Sequence, residues 1–489
     1  MRRALALGLL LAASCSRCAG PKSAASAEEL LPAHPSGAIV TAPLGALAQH
    51  LAALSDRVAR LPGGEQLGQF RAQLAGQLGF DPLTREGLLS AGLDPDRGAA
   101  VALFEARPRP EWAVALPLTK PDLFAQTVQR LLVERFGASP GAQPQTYERA
   151  GTSIAWKIVQ GYGMIARGAS PMARLDPPPE SLAKSTSFAK VRDHLGAQDV
   201  IVWAPAGSDL PRRYTPRTLP GDVAVSLQGA PQGLAVRLFA DAVKAQAVLP
   251  GGGASLVELL PGNAPLRMRL GIAPQKLVDL IPDERLRALI PKGAFDGVKP
   301  GFAISVALAR NASLAQAIDY GLDWRRKSPF DTIQLVALAE VVDEKQVLAS
   351  MEAIAKALPQ IGAKATRAGN EFQVTYPAGR GPRFGVREHI AYVFGGDVAE
   401  LHRTPRSGNP EGAALYEDQG AALRADFGKL AAAVHALPES TYGTGPQSYV
   451  TRSVVAQVID PLTPLRVTLD AQAQPDFFGA SLDVEIVAP

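Results

Sequence analysis

The tetrapeptide Glu29-Leu30-Leu31-Pro32 recurs intact as Glu258-Leu259-Leu260-Pro261, and the residues after each copy keep one order of features. A short apolar stretch, Gly37 to Ala42 or Leu266 to Ile272, reads as a strand. A helix then opens at Pro43 or Pro274, proline being suited to a first helical turn. Val101-Ala102-Leu103 matches Val306-Ala307-Leu308, and Val114-Ala115-Leu116 matches Val336-Ala337-Leu338. An amphipathic helix comes after each second match. In the first, Thr119 and Asp122 form an approximate capping box, and Phe124, Val128, Leu131, Leu132 and Phe136 share one face. In the second, Asp343 caps a run of Val347, Met351, Ile354 and Leu358 at the same spacing. Arg149-Ala150-Gly151 and Arg367-Ala368-Gly369 introduce hairpins, with strands at 152–159 and 162–167 set against 371–376 and 383–394. Val223 to Phe239 and Leu465 to Ile486 each alternate apolar and polar residues around a turn.

Six matches in one order read as an internal duplication. Repeat 1 covers residues 28–245, a Gly-rich joint covers 246–256, and repeat 2 covers 257–489. Helices mixed with hairpins, rather than alternating singly with strands, predict an α+β fold. Each repeat is then a mostly antiparallel sheet with packed amphipathic helices. The matched positions are apolar, Gly, Pro or capping residues, so what the copies share is the means to fold. A functional site then lies in one copy, between the copies, or on a surface.

Composition allows such a body. The chain has 489 residues, 47% hydrophobic and 20% charged, as in globular proteins. Gly (46) and Pro (41) together stay below the roughly 25–30% of disordered chains. Formal net charge is +4, of which Arg2 and Arg3 belong to the first segment. The basic clusters Arg212/Arg213/Arg217 and Arg325/Arg326/Lys327 are short and lack interleaved aromatics, which argues against nucleic-acid binding.

Residues 1–15, MRRALALGLLLAASC, combine a basic start, an apolar run and small residues before Cys15. The run is shorter than the roughly 20 residues that span a bilayer core, so it reads as an export signal. Its Leu-Ala-Ala-Ser-Cys ending is similar to a bacterial lipoprotein signal, which makes Cys15 the lipidated residue and 16–27 a flexible tether. Arg17 makes Cys18 the poorer cleavage site, and Ser16 favours outer-membrane sorting, facing the periplasm or the cell surface. A plain secreted protein cleaved nearby is the alternative. Both cysteines lie in these first residues, so the body holds no disulfide, redox pair or thiolate metal site.

Leu78-Gly79-Phe80-Asp81-Pro82 through Gly92-Leu93-Asp94-Pro95, and Ser181-Leu182-Ala183 through Ser187-Phe188 ahead of the strand Asp199 to Trp203, resemble a group of uncharacterised exported bacterial proteins. That group carries a domain of unknown function. The resemblance implies a fold type and an envelope location, and brings no catalytic residues to transfer.

Motifs for chemistry are incomplete. Asp94-Pro95-Asp96 with Glu105 mimics a calcium loop, but Ala99 stands where such a loop needs glycine, so a turn before a strand is expected. Ser181-Leu-Ala-Lys184 and Ser187-Phe-Ala-Lys190 fit the Ser-X-X-Lys pattern of penicillin-binding proteins and serine β-lactamases. Ser407-Gly-Asn409 could stand for the middle motif, but a Lys-Thr-Gly strand is missing. The histidines at 34, 50, 194, 389, 402 and 435 show no zinc spacing. The sequence therefore nominates no catalytic, cofactor-binding or metal residues, and Cys15 alone as a modified site.

Three functional readings are open at this point. The first is a non-enzymatic envelope lipoprotein, held to the membrane by its N-terminal lipid and binding or scaffolding an envelope protein partner. The second is a carrier of a lipid or other apolar ligand in a helix–sheet cavity. The third is a serine hydrolase acting on envelope material through Ser181 or Ser187.

Overall fold

The computed structural model describes residues 25–487, apart from 62–63, 106–110, 142, 150, 209–220, 231, 242–248, 280–283, 310–311, 313, 315–327 and 397–419. Cys15, Cys18, Arg212, Arg213, Arg217, Arg325, Arg326, Lys327, His402 and the Ser407-Gly-Asn409 motif lie outside the described residues. The fold is α+β, with extensive antiparallel sheet and several helices. Two compact units divide it: Met1–Ala242 with Phe477–Gly479, and Val243–Asp476 with Ala480–Pro489.

Among the described residues, ten strands build the first unit. They are β1 (Gly37–Pro43), β2 (Gly98–Glu105), β3 (Glu111–Pro117), β4 (Ser139–Pro140), β5 (Thr146–Arg149), β6 (Thr152–Val159), β7 (Tyr162–Gly168), β8 (Val200–Ala204), β9 (Val223–Ala230) and β10 (Gly233–Ala240). Their order across the sheet is β4-β5-β6-β7-β3-β2-β1-β8-β9-β10, every neighbour antiparallel. Strand side chains alternate between faces, and here both faces are covered. One face is paved with alanine (Ala38, Ala100, Ala102, Ala113, Ala115 and Ala166), each at most 1% exposed. Large side chains fill the space these leave: Trp203, Tyr162, Met164, and Phe188 and Val191 of helix α5 (Thr186–Leu195). Leu30, Leu31, Leu175 and Leu182 complete that layer, so the first Glu-Leu-Leu-Pro copy is a core motif. On the opposite face Val101 and Val114 meet Leu44 and Ala48 of α1 (Leu44–Ala59), Leu88 of α3 (Arg85–Ser90), and Phe124 and Val128 of α4 (Pro121–Arg130). Helix α2 (Glu65–Leu78) comes after α1 and ends at Gly79, whose φ of 75° lets the chain reverse.

Strands β11 (Leu266–Leu270), β12 (Val298–Leu308), β13 (Ile333–Val341), β14 (Lys364–Ala368), β15 (Glu371–Tyr376), β16 (Gly379–Arg387), β17 (Ile390–Gly395), β18 (Ala421–Asp426), β19 (Leu465–Ala473) and β20 (Phe478–Ile486) form the sheet of the second unit. Their order is β14-β15-β16-β17-β13-β12-β11-β18-β19-β20. The helices between them are α6 (Pro274–Asp279), α7 (Glu284–Ala288), α8 (Glu344–Ala357), α9 (Phe427–His435) and α10 (Pro446–Ile459). Place for place, the two orders read alike, with β1 to β3 set where β11 to β13 stand and β8 where β18 stands.

Several local readings differ from the sequence. The matched tripeptides lie on matching strands but on different rungs: Leu103 faces Gly37, whereas Val306 faces Leu266. Arg149 and Gly151 flank the β5–β6 turn, while Arg367 and Gly369 flank the β14–β15 turn, one hairpin further from the sheet centre. By sheet place, 152–159 answers to β16 rather than to 371–376. Thr119 does not cap α4; its hydroxyl donates to the Leu93 carbonyl, and Lys120 occupies the cap position. Asp343 does cap α8, accepting from Gln346 N–H at 3.1 Å. The glycines expected in a joint are folded into the second unit. Gly251 N–H donates to Gly271 at 3.0 Å, and the Gly252 carbonyl accepts from buried Arg269 at 3.1 Å.

Candidate functional site

The first unit carries an open cavity of about 610 Å³ where three segments meet. Residues 33–36 enter β1, residues 180–187 lead into α5, and residues 203–208 leave β8. Backbone bonds lace the first two segments together: Ala33 N–H donates to Glu180, and Leu182 N–H donates to Leu31. That pairing results from burying Leu30, Leu31 and Leu182 against the alanine face. Lys184, Ser187 and His34 line the opening, and Trp203 forms a wall.

Lys184 and Ser187, one residue from each Ser-X-X-Lys candidate, line this cavity. Ser187 sits in the first turn of α5 and donates its hydroxyl to Asp222, which is 5% exposed. The other Asp222 oxygen accepts from Ala206 N–H at 2.7 Å, so this carboxylate straps the start of α5 to the exit of β8. Lys190 reaches away to Asp241 at 2.6 Å. Ser181 is buried in the bridge to Pro32, and Lys184 is on the rim. The cavity's other serines are similarly committed: Ser185 accepts from Phe188 N–H as the cap of α5, Ser36 donates to Phe104, and Ser208 donates to Ser36. Asp222 was beyond sequence reasoning, since nothing in Gly221-Asp222-Val223 announces a partner 35 positions away.

A second cleft of about 410 Å³ lies in the second unit, between the Glu258 turn, β13 and the β16–β17 turn. Lys299 and Glu340 of this cleft are paired with each other. Glu340 accepts from Lys299 at 2.8 Å and Ser255 at 2.9 Å, and these bonds hold its carboxyl below the usual range. Glu344 accepts from the His389 backbone N–H at 2.7 Å.

The remaining sequence candidates take structural places. Asp94 accepts from Asp96 N–H at 2.9 Å, and Asp96 pairs with Arg85 at 2.6 Å, forming the turn expected before β2. His50 bonds Asp199 through Nδ1 at 2.7 Å, tying α1 to the β8 entry, and His194 bonds the Lys190 carbonyl. Glu28 is pushed up by burial, opposed by Arg192 at 3.2 Å. Among the described residues, no group of three metal-ligating side chains is assembled.

No family model and no curated protein matches the chain. Similarity to solved structures was found for crystal forms of TP0453. Form III is 11% identical over 45% of this chain and 80% of that chain, with a TM-score of 0.27. Form IV is 13% identical over 45% and 81%, with a TM-score of 0.27. Form I is 9% identical over 47% and 88%, with a TM-score of 0.26. Likeness at this level carries no argument about activity.

Proposed function

We propose that the chain is a non-enzymatic envelope lipoprotein that binds or scaffolds a partner through a duplicated α+β body. The observation that carries this reading is the commitment of the cavity's four serines to bonds that join its own segments, above all Ser187 to Asp222, while Lys190 is bonded to Asp241. A surface whose polar groups already hold its own loops together suits recognition better than bond making. Carriage of an apolar ligand needs an apolar box. The larger cavity is open and sets His34, Glu180, Lys184 and four serines beside Trp203, Pro35, Pro205 and two alanines, a mixed lining that favours a contact surface over an enclosed apolar box. The common strand order of the two units supports duplication of one ancestral unit.

Two measurements test the reading. A fluorophosphonate probe is expected to label the purified protein no more than the Ser181→Ala and Ser187→Ala variants. Labelling that disappears in either variant would restore the hydrolase. Cys15→Ser is expected to move most of the protein from the membrane pellet to the soluble envelope fraction. Unchanged retention in the pellet would remove the lipid anchor from the proposal.

A further inference from the structure

We infer that Arg267 is the centre of an oxyanion-binding site on the sheet of the second unit, where its guanidinium takes a carboxylate or phosphate group of a small ligand. Arg267 lies on β11 and is 8% exposed, yet among the described residues no hydrogen bond or ion pair reaches its guanidinium. Directly opposite on β12 stands Ser305, 2% exposed, whose hydroxyl is likewise without a partner among the described residues. Directly opposite on β18 stands Arg424, which donates to the Leu423 and Leu469 carbonyls and pairs with Asp470 at 2.8 Å. Thr468 of β19 completes the rung. Directly opposed residues of antiparallel strands share a face. This face is the one on which Ala303, Val336 and Ala422 belong to a core cluster.

The fold itself does not call for a polar rung. Arg267 and Ala38 are each the ninth residue after the glutamate of their Glu-Leu-Leu-Pro copy. The rung through Ala38 reads Ala102, Ala38, Trp203 and Ala224, each at most 2% exposed. The rung through Arg267 reads Ser305, Arg267, Arg424 and Thr468. Such a rung works against folding, because like charges directly opposite destabilise a sheet and a buried charge without a partner is costly. Asp470 answers Arg424, and no described residue answers Arg267. A bound anion relieves both costs. The guanidinium narrows its chemistry: it is planar, always charged, and presents paired donors that match two oxygens of a carboxylate or phosphate. A halide has one centre and cannot use that fork. Ser305 adds a hydroxyl donor on the neighbouring strand. No nitrogen of Arg267 is fully enclosed, so the guanidinium keeps a route to solvent wide enough for a small anion. This site does not depend on the lipoprotein reading.

Isothermal titration of the purified protein in chloride buffer tests this, with sodium phosphate and sodium acetate as separate probes at fixed ionic strength. One saturable site is expected. Binding of phosphate without acetate assigns a phosphoryl group to the ligand, and the reverse assigns a carboxylate. Arg267→Met is expected to weaken the site at least tenfold. Arg267→Lys keeps the charge but loses the fork, and should weaken it by less. Arg387→Met, at the end of β16 where the side chain is 67% exposed, should leave binding unchanged. Folding is read separately. In chloride, Arg267→Met should unfold at a urea concentration no lower than the parent, because an apolar chain replaces an unpaired buried charge. Absence of saturable binding by either anion overturns the proposal, as does binding that Arg267→Met retains. A lowered urea midpoint in Arg267→Met overturns it too, since Arg267 would then serve the packing of the sheet.

Discussion

Replacing Trp203 by alanine is expected to cost about 3–5 kcal/mol, the usual range for emptying a buried aromatic site. Trp203 is 2% exposed, and its ring centroid lies 5.5 Å from that of Phe188 in α5. Its strand neighbours are Ala38 on one side and Ala224 on the other, so the indole alone fills that rung. Truncation would leave small side chains across three strands beneath α5, with no neighbour on that rung large enough to fill the gap. Against a domain stability of about 5–15 kcal/mol, that loss is large. Trp203→Phe should behave differently. It keeps a ring against Phe188 and removes the indole Nε1, a buried donor with no hydrogen-bond partner among the described residues. Relief from burying such a group, about 1–3 kcal/mol, offsets part of the lost area. Urea denaturation should therefore place Trp203→Phe close to the parent and Trp203→Ala far below it. Equal midpoints for the two variants would show that the indole is not the keystone of this layer.

Legibility from sequence tracked the range of the interactions. Period-two alternation and proline-opened helices were readable because they are local, and the strands within Val223 to Phe239 and Leu465 to Ile486 stand where that pattern placed them. The β6–β7 turn uses Gln160-Gly161, both at positive φ, as a two-residue hairpin turn requires. The β16–β17 turn uses Glu388-His389 at φ of 53° and 61°, where no glycine announces it. Thr119 was misread because its hydroxyl finds the Leu93 carbonyl, a partner that spacing within a helix cannot reveal. The Ser-X-X-Lys pairs were visible, but their meaning depended on Asp222 and Asp241, which flank the β9–β10 hairpin. The valines of α10 carry the spacing of a buried stripe, and only the fold shows them facing outward.

The glycines at 251–253 and 301 were the least legible feature, because a solvated joint and a packed backbone crossing share one composition. Gly301→Ala is the second large effect. Gly301 has a φ of 100°, and a Cβ there would lie 2.2 Å from the carbonyl carbon of Gly252 and 2.5 Å from the nitrogen of Gly253. These are backbone atoms, so no rotamer change relieves the contact. The Gly252–Gly253 peptide must shift, and with it the carbonyl that accepts from Arg269, a residue 1% exposed. A hydrogen bond to a charged group contributes about 1.5–3 kcal/mol, and a side chain held in the left-handed region costs about 1–2 kcal/mol. Gly369→Ala provides the comparison. Its φ of 62° imposes the same kind of backbone strain, but a Cβ there meets nothing within 4 Å. Chemical denaturation monitored by circular dichroism should show Gly369→Ala losing about 1 kcal/mol and Gly301→Ala several times more. If the two losses are equal, close packing at Gly301 contributes nothing beyond φ, and residues 251–253 are a joint after all.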